Sequence, residues 1–187
     1  LKALLAALWK QEVQSFNRSE YVGPSNALQG YYRMCAQNPE IFPSFDTFYE
    51  YLSTDYKALL EREAVLPSEF DLHNFLYVLK PYYRGGEFDY LLNAKEHLDL
   101  VDQRFIVFEL DNIKDHPILF PVVTLIIMEL FVSKMRRLPG ARKILVIEEA
   151  WKAIAKTGMA EFIRYVFKTV RKFNGIAAVG TQEIDDL

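Results

Sequence analysis

Four aliphatic residues in a row, Ile144-Leu145-Val146-Ile147, entered from Lys143 and closed by the acid pair Glu148-Glu149, constrain the fold of this chain more than any other feature. An apolar run this short, bounded by charge, suits a strand buried on both faces, as in parallel sheets. In an open α/β sheet the ligand site lies beyond the carboxyl ends of the strands, where both acids fall. The run has the shape of a Walker B motif: in a nucleotide hydrolase the first acid holds Mg²⁺ through water, and the second orients and activates the attacking water. Strands that simply end on a solvated acidic turn look the same, so the surrounding pattern has to decide.

A second strand pattern, Ile176-Ala177-Ala178-Val179-Gly180, runs out into Thr181-Gln182. Between the two, Met159 to Phe173 has helical spacing, with Phe162, Val166, Phe167 and Val170 on an apolar stripe and Arg164, Lys168, Arg171 and Lys172 on a basic one. Asn174-Gly175 ends it, Gly being common just past a helix C-terminus. Strand, helix and strand at this spacing predict a βαβ unit with parallel strands, which puts Glu148, Glu149 and Gln182 on one edge. An amide there suits a residue that senses a γ-phosphate or orients water; an ordinary loop amide is the plainer reading.

Residues 104–110 (Arg-Phe-Ile-Val-Phe-Glu-Leu) read as a third strand, joined to the acidic strand by a long helix with Asp115 as N-cap, Pro117 and Pro121 near its first turn and Lys134, Arg136 and Arg137 in its last. The apolar stretch from Ile118 to Val132 is shorter than a membrane span, contains Thr124 and Glu129 and has an internal Pro, so it reads as a buried crossover helix. The expected strand order is 104–110, 143–148, 176–181.

Residues 1–100 differ. Helical spacing covers Leu1 to Ser15, Ser25 to Gln37, Phe45 to Ala64 behind a Ser44 cap, and Leu72 to Leu79 behind an Asp71 cap. Gly23-Pro24, Asn38-Pro39, Pro67-Ser68 and Gly85-Gly86 mark the loops. The many aromatic residues recur mostly at helical intervals and read as interhelix packing. A base-stacking platform is the sharper alternative, but the surrounding acids (Glu40, Asp46, Glu50, Asp55, Glu61, Glu63) oppose it. The expected organisation is therefore α/β: an all-helical subdomain over 1–100 and a partial parallel sheet with crossover helices over 101–187.

Composition bounds the function classes. At 187 residues, 51% hydrophobic and a net charge of -3, the chain has the make-up of a globular protein, and its pI near 5.7 does not announce a nucleic-acid binder. Cys35 stands alone, so no internal disulfide forms and a reducing cytosol is the expected compartment. His73, His97 and His116 are dispersed and lack metal-ligand spacing.

Together, Ile144 to Trp151, Thr169-Val170-Arg171-Lys172-Phe173-Asn174-Gly175 and Gly180-Thr181-Gln182 resemble the Walker B, Arg-Lys-x-Asn-Gly and Thr-Gln blocks of the bacterial conjugation ATPases, the TraG/TraC-like cytoplasmic ATPases of type IV secretion systems. Tyr82 to Leu92, with its Arg84-Gly85-Gly86-Glu87-Phe88 turn, and Phe108-Glu109-Leu110-Asp111-Asn112 resemble the segments that precede Walker B there. The resemblance is strong in the second half and general in the helical half. It implies a RecA-like, P-loop motor that forms homo-oligomers, binds ATP with Mg²⁺, and powers pilus assembly or DNA or protein transfer beside channel proteins at the inner membrane, from the cytoplasmic side. It implies Glu148 as the Mg²⁺-linked acid, a position more often Asp in the family, Glu149 as the catalytic carboxylate, Gln182 as the sensor, and Arg171 as a phosphate-proximal or intersubunit arginine. A solvated basic helix face is the plain alternative for Arg171.

A P-loop needs G-x-x-x-x-G-K-[ST], whose amides and Lys hold the phosphates, and no glycine of this sequence stands in that arrangement. The opening Leu1-Lys2-Ala3 and the stop just past Gln182 lead to the expectation of a piece of a longer protein. Its P-loop would lie upstream of Leu1, and the piece alone would be inactive. Transferred DNA is a further expected partner. An FtsK/HerA-like DNA translocase and a non-catalytic docking module of the secretion complex are the alternative functions. In RecA-like sheets the sensor strand lies between the Walker B and P-loop strands, so the outer edge of 176–180 is expected to be open and to recruit a neighbouring molecule or a displaced terminal segment.

Overall fold

The computed structural model describes residues 2–9, 18–94, 100, 102–148 and 159–180. It divides into two compact units, Leu1–Leu98 and Asp99–Leu187.

The first unit is helical. Helices α1 (Lys2–Trp9), α2 (Arg18–Gln37), α3 (Phe45–Tyr51), α4 (Lys57–Arg62), α5 (Leu72–Leu79) and α6 (Asp89–Leu92) bury an aromatic core. Phe45, Phe48, Tyr51, Tyr56, Phe70, Phe75, Tyr82 and Phe88 are all buried. Trp9 meets Phe70 and Phe75 edge-on at 5.5 and 4.9 Å, the geometry that aromatic quadrupoles favour. Rings packed in this way have no free face for a base, so interhelix packing is their role. Tyr77 and Tyr90 are exposed.

Both expected caps form. Ser44 Oγ accepts from Thr47 N in a reciprocal capping box, and Asp71 Oδ1 accepts from Asn74 N at 2.9 Å. Between α3 and α4, Leu52–Tyr56 widens into a π-helical turn within what the sequence reads as one helix. Tyr51 and Tyr56, five positions apart, would diverge by about 140° on an α-helix; here both are buried and stack with ring centroids 6.1 Å apart.

The expected loop at Gly23-Pro24 is instead helix, because α2 runs from Arg18 through Pro24. Packing overrides the helix-breaking residue. A Cβ on Gly23 would lie 2.3 Å from Phe70 Cδ2, so glycine is what lets α2 approach that ring. The buried Tyr56 hydroxyl donates to Gly23 O at 2.8 Å, tying α2 to the π-helical turn.

The second unit holds α7 (Leu119–Arg137), β1 (Lys143–Glu148), α8 (Met159–Thr169), a 3₁₀ turn (Val170–Phe173) and β2 (Gly175–Gly180). The strands pair in parallel, Lys143 opposite Gly175 through Glu148 opposite Gly180. Met135, Val166 and Val170 form its core, with Leu145, Ile147 and Ala177 packed against them from the sheet.

Three expectations are corrected in this unit. Strand β1 is covered on one face rather than both: alternate residues Ile144 and Val146 are 68% and 58% exposed. Residues 104–110 form no strand, and the sheet among the described residues has two strands, not three. Phe105 and Val107 stay exposed there because no neighbouring strand supplies backbone partners. Asp115 does not cap α7; His116 Nδ1 accepts from Ile118 N and Leu119 N at 3.3 and 3.1 Å instead. The helix ends at the expected Asn174-Gly175 pair, where Asn174 takes the left-handed conformation at φ 55°. Gly175 is required for a different reason, since its Cβ would lie 2.3 Å from Val170 Cγ2. As expected, no described helix is long and apolar enough to cross a membrane.

Candidate functional site

The parallel register builds the site edge. Because β1 and β2 begin together at Lys143 and Gly175 and end together at Glu148 and Gly180, the residues that follow each strand leave from the same end of the sheet. Glu148 is exposed there, and its carboxylate has no hydrogen-bond or ion-pair partner among the described residues. A Cβ on Gly180 would lie 4.0 Å from Glu148 Cα, so the glycine leaves the backbone beside the acid uncovered. An exposed hard oxygen donor at a strand end is the kind of group that holds Mg²⁺ through water in sites built on one or two carboxylates. Glu149, the residue after β1, and Gln182, two positions after β2, lie outside the described residues.

Arg171 falls elsewhere. It lies in the 3₁₀ turn that precedes β2, at the end of the sheet where Lys143 pairs with Gly175. Five residue steps of a parallel strand separate the two ends by roughly 17 Å. The structure therefore does not bring Arg171 to Glu148 within one chain.

What fixes the register is a set of contacts at that far end. Lys143 Nζ donates to Phe173 O at 2.7 Å, Lys143 N donates to Asn174 O at 3.1 Å, and Asn174 Nδ2 donates to Pro139 O at 3.2 Å. They tie the start of β1 to the residues just before β2. Sequence reading passed over Lys143 as a mere basic entry to the strand; the available signal was the Asn in the Asn-Gly pair, which tolerates left-handed backbone and can hydrogen-bond locally. Among the described residues no three His, Cys, Asp or Glu side chains come together as a metal cluster.

A profile of the TraG P-loop domain family matches residues 1–187. Type IV secretion system protein CagE of Helicobacter pylori is 34% identical over 105 residues, 55% of this chain and 10% of that protein. Protein TraC of Escherichia coli is 27% identical over 118 residues, 62% of this chain and 14% of its own length. Type IV secretion system protein virB4 of Bartonella quintana is 28% identical over 109 residues, 58% of this chain and 13% of its own. The matched stretches are thus a small part of these relatives. A solved structure of VirB4 from Thermoanaerobacter pseudethanolicus shares the fold, with a TM-score of 0.60 at 18% identity over 96% of this chain and 62% of that one. With the whole chain matched and the strand, helix and strand of its second unit in place, the protein belongs to the TraG P-loop domain family.

Proposed function

We propose that this chain is part of the motor domain of a type IV secretion ATPase, which hydrolyses ATP to power pilus assembly or DNA transfer. The observation that supports the reading is the parallel register that sets Glu148 opposite Gly180 at one end of the sheet; in the sequence Glu149 is the next residue after β1 and Gln182 the second after β2. Glu148 would hold Mg²⁺ through water, Glu149 would activate the attacking water, and Gln182 would sense the γ-phosphate. The relatives named as type IV secretion proteins support a secretion setting; within it the motor would work as a homo-oligomer at the cytoplasmic face of the inner membrane, beside channel proteins and the DNA it transfers. Arg171, at the opposite edge, acts on nucleotide in this reading only across a subunit boundary.

The 187-residue chain carries the acids without a phosphate cradle. Alone it leaves most of the triphosphate charge unneutralised, and it neither binds ATP tightly nor turns it over. Calorimetry with Mg-ATP tests this: heats too weak to fit are expected, whereas submillimolar binding means that the phosphate site has been misassigned. In a longer protein that supplies the P-loop, Glu148→Ala weakens nucleotide binding in Mg²⁺ while leaving the weaker Mg²⁺-free binding unchanged. Equal loss in both conditions contradicts the metal role.

A further inference from the structure

The edge of the second unit that lies opposite Glu148 has a chemistry of its own. Arg136 and Arg137 close α7, Arg142 immediately precedes β1, and Lys168 and Lys172 lie at the end of α8 and in its 3₁₀ extension. All five are exposed where the strands begin. None is held by an ion pair or hydrogen bond among the described residues. Of the acids of the same elements, Glu129 lies two turns back along α7, Glu161 two turns before Lys168 along α8, and Glu148 at the far end of β1; exposed Asp102 lies in the segment that Lys134 holds through Leu100 O and Gln103 O, so the five basic residues outnumber the acids near them. Beside Lys168, the rings of Tyr165 and Phe167 are 39% and 46% exposed. Five cations without ion-pair partners among the described residues, gathered on one edge of a chain with net charge -3, repel one another, a cost that an anionic partner removes.

We propose that this edge docks on an anionic lipid surface, with the nucleotide edge at the other end of the strands turned away from it. Basic side chains clustered beside exposed aromatic rings are what the headgroup layer attracts: the cations answer its negative potential, and amphipathic rings settle at the boundary. A nucleic acid fits less well. Proteins grip phosphodiesters largely through backbone N–H groups and helix N-termini as well as basic side chains. Here both helices present their C-terminal ends, whose carbonyls carry partial negative charge. Attraction then rests on long, mobile Lys and Arg stems acting over a Debye length, which suits a diffuse surface charge rather than a fixed phosphate. The acidic net charge of the chain points the same way, because a membrane needs only one local basic face whereas nucleic-acid binders are usually basic across the domain.

Co-sedimentation of the full chain with vesicles tests the proposal. Binding is expected to phosphatidylcholine vesicles that contain phosphatidylglycerol, not to phosphatidylcholine alone, and to weaken as salt rises. The triple variant Arg136→Glu, Arg137→Glu, Lys172→Glu should lose at least about tenfold in affinity. The charge-preserving triple Arg136→Lys, Arg137→Lys, Lys172→Arg should keep it. Thermal melting checks that each variant is folded, and if the reversal does not fold, Arg136→Gln with Lys172→Gln serves, with a smaller loss expected. Failure of the wild-type chain to bind anionic vesicles, or unchanged binding by the folded reversal or Gln variant, overturns the proposal. So does preferential binding of a single-stranded oligonucleotide that the same variants abolish, since the edge is then a nucleic-acid surface.

Discussion

Gly23 and Tyr56 show how single atoms decide a local conformation. The sequence reads Gly23-Pro24 as a loop, yet the helix continues because glycine admits the Phe70 ring and Tyr56 supplies a hydroxyl to the Gly23 carbonyl. Gly23→Ala places a methyl into that ring and should cost about 1–3 kcal/mol. Tyr56→Phe leaves a buried carbonyl without this donor and should cost about 1–2 kcal/mol. Denaturant unfolding of each variant measures both. A loss near zero for Gly23→Ala would mean that α2 does not press against Phe70.

Burial also sets a pH limit on the helical unit. Desolvation pushes the hydroxyls of Tyr56 and Tyr82 up to about 12, from an ordinary 10.0. The folded state thus holds these protons more tightly than the unfolded chain does. Their contribution is fully present below pH 10.0 and is lost as pH rises toward about 12, where the unfolded chain gains by ionising first. Circular dichroism should therefore show stability flat on the neutral side and falling through that alkaline window. Stability that stays flat across it would contradict the burial of these rings.

At the scale of elements, β1, α8 and β2 were legible because their signals are strong and local: an aliphatic run ended by charge, a stripe of period 3.6 and an Asn-Gly stop. Parallel pairing followed from the length of the connection. Residues 104–110 have the same aliphatic and aromatic composition but form no strand, since a strand exists only where a neighbour offers hydrogen bonds, and composition does not report the neighbour. Exposure of Ile144 and Val146 was hidden for the same reason, because a run apolar at every position cannot say how many of its faces are covered. The His116 cap was missed because His is not among the usual capping residues, and Asp115 beside it is. Of the candidate site, Glu148 could be read and placed; Arg171 could be read only as a basic residue, and the register sends it to the other end of the sheet.

The turn between α8 and β2 gives an element-scale prediction. Both Asn174→Gly and Asn174→Ala lose the exposed amide bond to Pro139 O, but Gly keeps access to φ 55°, so Asn174→Ala should be the less stable of the two by about 1 kcal/mol, the cost of left-handed backbone. Gly175→Ala drives a methyl into Val170 and should cost about 1–3 kcal/mol. Thermal melting orders the three. Asn174→Ala as stable as Asn174→Gly would show that the left-handed residue is misplaced.

For the whole molecule, membership in the TraG P-loop domain family and the geometry of β1 and β2 converge on one division of labour. The carboxyl edge of the strands holds Glu148, the opposite edge holds Arg142 and Arg171, and α7 and α8 pack on the sheet through Met135, Val166 and Val170. The central claim is that the acid edge performs hydrolysis. Steady-state ATP turnover and nucleotide affinity of the intact protein carrying Glu149→Gln test it most directly. The substitution removes a base and keeps the metal and phosphate contacts, so turnover should fall by about 10²-fold or more with ATP affinity unchanged. Near-normal turnover in that variant would contradict the claim and leave the acids inert in a docking module.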